Sequence, residues 1–292
     1  MNLDQAHGLR TSCETNGSLE QGRPNVVGIV SGKGGVGKST LAVNLAVACA
    51  KLGRRTLLID GDSGLANADL LLGLIPEFSL ADWCRGDVEL QNVGAWSVEG
   101  LQLIPIGTGA EPVDRIRGAL CGQSSFGLDQ LLGAQDLTFL DLGAGIGTDV
   151  LGLAQHCHPV WLVMTPEPTS LADAYTTARR LWNRQPDLRI EVVVNRAKAF
   201  EDGQRAWQSL RRLTRRFLDR DIPLRSVLPD DPAMGHSVAH QSPVVVAAST
   251  SAIARKLCLL AESLSEERRA QAGEAWSPRP ELTRRASRTV PG

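Results

Sequence analysis

Ten residues, Ser31 to Thr40, combine glycines, lysines and hydroxyl side chains at a spacing suited to phosphate binding. The order Gly32, four residues, Gly37, Lys38, Ser39 matches the P-loop pattern. Glycines let successive backbone N–H groups point toward one anion, and the first turn of a following helix adds free donors. The predicted nucleotide-binding loop comprises Gly32, Lys33, Gly34, Gly35, Val36, Gly37, Lys38, Ser39 and Thr40.

Lys38 and Ser39, at the end of this pattern, predict the contacts to a nucleoside triphosphate. In such loops the lysine reaches the β- and γ-phosphates, and the hydroxyl coordinates Mg²⁺. A chance glycine-rich turn is the alternative, but the flanking residues argue against it. An apolar, β-branched run, Val26 to Val30, precedes the loop, and a run typical of a core-facing helix, Leu41 to Ala50, follows it.

Aspartates follow two predicted strands, at the edge where phosphate chemistry needs carboxylates. Asp60 and Asp62 end one strand, and Asp141 ends another. The segment around Asp60 is also typical of an ordinary turn. Because a P-loop is predicted beside it, we expect Asp62 to orient a water toward the γ-phosphate and the other aspartates to hold the Mg²⁺ shell. The predicted metal-site residues are Ser39, Asp60, Asp62 and Asp141.

Lys33 is a second lysine inside the loop, although only five of the 31 Lys and Arg residues are lysines. One interpretation is a harmless surface charge in a loop already held by glycines. The other is a cationic finger that takes part in phosphoryl transfer. We favour the finger, so the predicted catalytic residues are Lys33, Lys38 and Asp62.

Seven apolar runs, mostly separated by helix-length segments, predict the architecture. They are Val26 to Val30, Thr56 to Asp60, Leu101 to Ile106, Leu137 to Asp141, Pro159 to Met164, Ile190 to Asn195 and Leu224 to Leu228. This alternation predicts an α/β fold, a doubly wound and mostly parallel sheet that binds ligands at the carboxyl ends of its strands. We expect one P-loop domain at residues 25–268, between an N-terminal segment and linker at 1–24 and a disordered basic tail at 269–292.

Composition limits the classes of function. The formal net charge of −1 gives no general reason to expect nucleic-acid binding. The sequence has no run of 18 apolar residues and no secretory signal at its N-terminus, so we expect a cytoplasmic protein. Its six cysteines are scattered without a CxxC pair, which fits reduced thiols in that compartment.

The loop with its second lysine resembles the deviant Walker A motif of the MinD/ParA ATPases, within the SIMIBI class of P-loop NTPases. The order and spacing of Lys33 to Thr40, Asp60 to Asn67 and Asp141 to Gly145 also look like that family. The resemblance implies ATP and Mg²⁺ as ligands. It also implies a homodimer formed with ATP, in which Lys33 reaches the partner's phosphates, and a slow ATPase that works as a switch.

A narrower resemblance, to the FlhG (FleN, YlxH) family of flagellar-number regulators, rests on three segments. Leu65 to Leu74 and Thr165 to Tyr175 are similar to that family, and residues 4–10 fit its DQAxxLR motif at every fixed position. In the family this N-terminal segment docks on the GTPase FlhF and stimulates hydrolysis. The alternative is a short polar leader whose match is accidental. The implied partner-binding residues are Asp4, Gln5, Ala6, Leu9 and Arg10.

The family pattern also suggests adenine contacts and a membrane question. Asn195, Pro229 and Asp230 are the implied adenine contacts, although Asn at a strand end is also a common turn residue.

The sequence departs from the family pattern at two places. Leu142 stands where relatives often carry a small hydroxyl residue. MinD-type proteins end in a basic amphipathic helix, but no bulky apolar face follows Leu264 here. We therefore expect at most weak, transient association with the inner face of the cell membrane.

Two other functions remain open at the level of sequence. One is a ParA-like ATPase that positions cargo or chromosomes on nonspecific DNA. Its support is a helix predicted at Ala206 to Arg220, with an apolar stripe of Trp207, Leu210, Leu213 and Phe217 flanked by arginines. Those arginines are Arg205, Arg211, Arg212, Arg215 and Arg216. The other is a transcription anti-activator that binds a regulator, and flagellar basal-body proteins are further expected partners.

Overall fold

A single eight-stranded sheet forms the centre of the structure, which is a computed structural model describing residues 25–62, 67–97, 99–120, 127–145 and 147–272. The strands are β1 (Val26–Ser31), β2 (Thr56–Gly61), β3 (Ala95–Trp96), β4 (Leu101–Pro105), β5 (Leu137–Ala144), β6 (Val160–Met164), β7 (Ile190–Ala197) and β8 (Leu224–Pro229). Their order is β3-β4-β2-β5-β1-β6-β7-β8. All neighbours pair in parallel except β3 and β4, which are antiparallel.

Helices cover both faces of the sheet. They are α1 (Lys38–Lys51), α2 (Ala68–Leu72), α3 (Leu80–Arg85), α4 (Glu111–Leu120), α5 (Leu128–Gly133), α6 (Thr148–Ala154), α7 (Pro168–Arg184), α8 (Phe200–Leu218), α9 (Pro232–Ala239), α10 (Val244–Ala247) and α11 (Ala252–Ala272), with a 3₁₀ turn at Leu90–Asn92. One apolar cluster joins the sheet to α1, α2, α10 and α11, and a second joins it to α3 to α8. Burial on both faces explains why the central strands are almost continuously apolar.

The seven predicted strands are all present, and the doubly wound α/β fold is confirmed. Sequence reasoning missed β3, because a two-residue edge strand carries no periodic signal. It also started the arginine-rich helix six residues late, since the first turns of α8 are polar and lack apolar periodicity. Phe217 is not part of a core stripe, because 59% of this residue is exposed.

The last helix, α11, runs from Ala252 to Ala272 and packs against α1 through its buried apolar residues. None of the helices within the described residues has the length and apolarity needed to cross a membrane.

The topology brings the predicted site residues to one edge. Strands β2, β5 and β1 are neighbours, and all three point their carboxyl ends in the same direction. Asp60 on β2 lies directly opposite Asp141 on β5, and the loop after β1 leads into α1 beside them. The parallel sheet thus gathers residues that are 103 positions apart, such as Lys38 and Asp141.

Candidate functional site

The loop between β1 and α1 has the backbone that phosphate binding requires. Gly37 caps α1 with a φ of 89° and a ψ of 26°, a left-handed conformation that favours glycine. Its carbonyl accepts the first bond of the helix, from the Leu41 N–H at 3.0 Å. Gly32 is required for space, because a Cβ there would lie 2.5 Å from the backbone of Asp173. The loop is therefore wedged between α1 and α7.

Lys38 points across the sheet edge to the end of β5. Its Nζ lies 2.6 Å from Asp141 Oδ1 and 3.3 Å from the Ser39 hydroxyl. Asp141 is fully buried, and its other oxygen, Oδ2, accepts no hydrogen bond from the residues that the structure describes. Burial raises the pKa of Asp141, while the Lys38 ammonium opposes that shift. An orphaned buried carboxylate oxygen beside a serine hydroxyl is a donor set that fits a hard cation such as Mg²⁺.

Asp60, at the end of β2, is buried and held by backbone donors. Its Oδ1 accepts from the Asp62 N–H at 3.2 Å, and its Oδ2 accepts from the N–H groups of Asn67 and Ala68 at 3.1 and 3.0 Å. Burial raises the pKa of Asp60 to about 6, and the nearby Asp141 carboxylate adds to the rise. These donors fix the carboxylate beside the loop.

A pH dependence of stability follows for the protein without nucleotide or metal. Because the pKa of Asp60 rises from 3.8 to about 6 on folding, the folded chain binds a proton that the unfolded chain has lost in this interval. The contribution of Asp60 to stability should therefore fall by up to about 3 kcal/mol as pH rises from 4 to 6, and then stay level.

Asp60→Asn removes this titration and serves as the comparison. The free energy of unfolding of both proteins is measured with denaturant at pH values from 4 to 7. As pH rises to 6, the wild type should lose stability relative to the variant. The amide also disturbs the backbone hydrogen bonds, but that cost does not depend on pH. A difference between the two proteins that is constant across the range would contradict the raised pKa.

Asp62 lies two residues further, where β2 leaves the sheet. It is partly exposed, and its carboxylate is close to the backbone near the end of β5. A Cβ at Gly143 would lie 3.9 Å from Asp62 Cγ. The side chain is thus at the mouth of the site, between the ends of two neighbouring strands.

Lys33 does not point into the loop in the single chain. Its Nζ donates to Glu167 Oε2 at 3.1 Å and to the Thr169 hydroxyl at 3.1 Å, at the N-terminal end of α7. About a third of the lysine side chain and 60% of the glutamate side chain are exposed. The role of Lys33 across a dimer stays a prediction, and the structure adds the two acceptors that hold it within one protomer.

The predicted adenine contacts lie on β7 and β8, on the opposite side of β1 from the aspartates of β2 and β5. Asn195 lies two residues before the end of β7, Pro229 is the last residue of β8, and Asp230 follows it. The Asp230 N–H donates to the Ala197 carbonyl at 2.9 Å. Arg196 joins this group, because its Nε lies 3.7 Å from Asp230 Oδ1. A groove of about 750 Å³ is lined by Arg196 and Asp230, the start of α7 and the start of α8, but not by Asn195 or Pro229.

Sequence reasoning missed Glu167, Thr169 and Arg196. The rule that identified Asp60 and Asp141, an acidic residue near the carboxyl end of a strand, also applies to Glu167, which lies three residues after β6. Arg196 directly follows Asn195, but nothing in the sequence indicates that it adopts a φ of 57°.

The N-terminal residues Asp4, Gln5, Ala6, Leu9 and Arg10 lie outside the described residues, and so do residues 63–66 and the tail beyond 272.

The arginines of α8 are largely engaged within the chain. Arg205 forms an ion pair with Asp202, and both Arg211 and Arg215 bind Asp221, with Nε to Oδ1 distances of 2.6 and 2.9 Å. The two guanidinium groups hold the pKa of Asp221 well below its usual range. This pairing reduces the positive charge that the helix could offer to DNA phosphates.

Comparison with known proteins matches this site to a family. The model of the CobQ/CobB/MinD/ParA nucleotide binding domain matches residues 27–244. The antiactivator FleN of Pseudomonas aeruginosa is 35% identical over 219 residues, which is 75% of this chain and 78% of FleN. The flagellum site-determining protein YlxH of Helicobacter pylori is 34% identical over 155 residues, 53% of each chain.

A solved structure extends the match to the fold. The septum site-determining protein MinD of Pyrococcus horikoshii, solved in complex with Mg-ADP, has a TM-score of 0.68 and 28% identity. The similarity covers 85% of this chain and 98% of that one. Together with the glycine loop, the buried Lys38–Asp141 pair and the parallel sheet, these matches show that the chain belongs to the CobQ/CobB/MinD/ParA nucleotide-binding family.

Proposed function

We propose that this protein is an ATP-dependent switch ATPase that dimerises with ATP·Mg²⁺ and controls flagellar number or placement. The observation that carries the proposal is the pair of lysines on one loop. Lys38 is buried against Asp141, while Lys33 stands at the partly exposed rim. These positions support a role for Lys38 at the phosphates of its own site and a role for Lys33 at the site of a second protomer.

The residues at the carboxyl edge of the sheet have different roles in the proposed hydrolysis. The loop N–H groups and Lys38 bind the β- and γ-phosphates, and Lys38 exchanges part of its contact with Asp141 for them. Ser39, Asp60 and Asp141 would hold Mg²⁺, which neutralises charge on the phosphate oxygens when it is bound. Asp62 orients the attacking water, and a site closed by a second protomer keeps other water out.

Dimerisation requires Lys33 to leave Glu167 and Thr169. Breaking the ion pair between Lys33 and Glu167 costs little free energy, because the pair is exposed and exposed ion pairs are weakened by solvent screening. The partner's triphosphate offers the ammonium a denser negative charge than one carboxylate does. Loss of the γ-phosphate removes this attraction, so hydrolysis separates the protomers.

The flagellar role rests on the relatives. One is named an antiactivator and another a flagellum site-determining protein. We assign the N-terminal segment, residues 1–24, to binding the GTPase FlhF through Asp4, Gln5, Ala6, Leu9 and Arg10. A short segment outside the ATPase domain is suited to folding on a partner, and Gln5 would orient water in the partner's active site, as glutamines do in other GTPases.

Deleting residues 1–12 tests this assignment. We expect the stimulation of GTP hydrolysis by FlhF to fall about tenfold or more, because glutamine-dependent positioning of water is lost. ATP hydrolysis by the truncated protein should stay within about twofold of the full chain, since the ATP site begins at residue 31. Both activities are measured on the same preparations by phosphate release. Equal loss of both would show that the segment is structural.

A second candidate partner is a transcription regulator, because the relative FleN is named an antiactivator. This function uses the same nucleotide switch and is compatible with the first. Pull-downs with and without residues 1–12 distinguish the two, since a regulator that binds the ATPase domain remains bound when the segment is removed.

A further inference from the structure

The carbonyl of Val36 is a buried acceptor that neither the loop nor α1 uses. Helix α1 starts at Lys38, and its first hydrogen bond goes to the Gly37 carbonyl. The Val36 carbonyl therefore lies just outside the helix, on a residue that is only 2% exposed. A buried carbonyl without a partner is costly, so this position of the loop needs a donor from elsewhere in the fold.

Asn195 supplies that donor from the end of β7. Its Nδ2 donates to the Val36 carbonyl at 2.9 Å, across 159 residues of sequence. Its Oδ1 accepts the N–H of Arg196 at 3.0 Å. The reverse orientation of the amide would place oxygen against oxygen and N–H against N–H, so the two contacts fix which way the amide points.

The contact is also tight. A Cβ at Gly37 would lie 2.4 Å from Asn195 Nδ2, so the amide fills the space that a side chain at this position would need. The left-handed φ of 89° favours glycine at position 37, and the Asn195 amide lies directly against this residue. The amide and the loop are therefore in direct contact before any nucleotide binds.

We infer that Asn195 is a positioning residue for the phosphate loop: its amide holds the Val36 carbonyl and so keeps the loop N–H groups aimed at the phosphates before any nucleotide binds. This inference rests on the proposed ATP site and deepens it. Arg196, the next residue in the chain, pairs with Asp230, so strand β7 connects the predicted adenine contacts to the phosphate loop.

Amide hydrogen exchange of the nucleotide-free protein tests the inference directly. In Asn195→Ala, exchange in the peptide that covers residues 32–40 should be about three- to tenfold faster, the effect of losing one hydrogen bond. Asn195→Asp should be at least as fast, because its carboxylate keeps the bond to the Arg196 N–H but faces the Val36 carbonyl without a donor. Asp230→Ala is the matched control at the next strand end, and it should leave exchange in this peptide unchanged.

Binding of Mg²⁺–tripolyphosphate, which has no base, provides a second readout. Its affinity, measured by calorimetry, should fall about three- to tenfold in Asn195→Ala and stay unchanged in Asp230→Ala, whereas both variants should weaken ATP. Thermal unfolding of each variant checks that the fold is intact. Unchanged exchange in Asn195→Ala and Asn195→Asp, or weaker binding of ATP alone, would overturn the inference.

The proposed function is tested separately on the same samples. A wild-type protein that stays monomeric with MgATP would refute the switch, while the exchange experiment would still decide the role of Asn195. Conversely, normal dimerisation combined with unchanged loop exchange in both Asn195 variants would reject the positioning role and leave the switch standing.

Discussion

Asp62→Ala is expected to lower kcat for ATP hydrolysis about 100- to 1,000-fold and to leave the affinity for ATP within about twofold. The carboxylate is partly exposed and lies near the backbone of Gly143, close to the end of β5. In the proposed mechanism it orients water rather than holding phosphate. Since the ATP-bound state persists in the variant, the protein should accumulate as a dimer.

The measurements are phosphate release, nucleotide binding by calorimetry and mass by light scattering after size exclusion. Asp114→Ala is a matched control, because this aspartate lies on α4 and pairs only with Arg117 among the bonds described. It should hydrolyse ATP like the wild type. An Asp62→Ala protein that stays monomeric under saturating MgATP would count against the switch mechanism.

Lys33→Ala should weaken ATP-dependent dimerisation about 100-fold, with the affinity for ATP within about threefold of the wild type. The reason is that a charged contact across an interface is lost, while the contacts within one protomer remain.

Lys38→Ala should instead weaken ATP binding itself. It removes the phosphate contact and leaves Asp141 buried beside an empty position, so ATP binding is lost first and dimerisation fails as a consequence.

Glu167→Gln is the control for the lysine at the rim. It removes the ion pair that holds Lys33 within its own protomer but keeps the lysine itself. We expect its dimer affinity to equal or exceed that of the wild type, because Lys33 no longer has to leave a carboxylate. Equilibrium sedimentation with a non-hydrolysable ATP analogue measures all three variants. Unaltered dimerisation of Lys33→Ala would identify the lysine as a surface charge.

Much of the site could be predicted from local sequence. The P-loop spacing, the two aspartates at strand ends and the individual apolar runs are each visible in a short stretch of the sequence. The edge strand β3 and the polar first turns of α8 could not be predicted, because neither produces a periodic apolar pattern. Phe217 fits an apolar stripe in sequence, yet it is exposed in the last turn of α8, because the buried face of this helix is formed by Ala206, Leu210 and Thr214.

The sequence by itself determined the kind of chemistry: a phosphate loop with a second lysine, carboxylates for a metal, and a parallel sheet to bring them together. Only the tertiary structure decided which groups meet. It paired Lys38 with Asp141, held Lys33 on Glu167 and Thr169, and closed the Asn195 amide onto the Val36 carbonyl. These contacts join residues more than 100 positions apart, and such distances are fixed by the order of strands in the sheet, which no local pattern encodes.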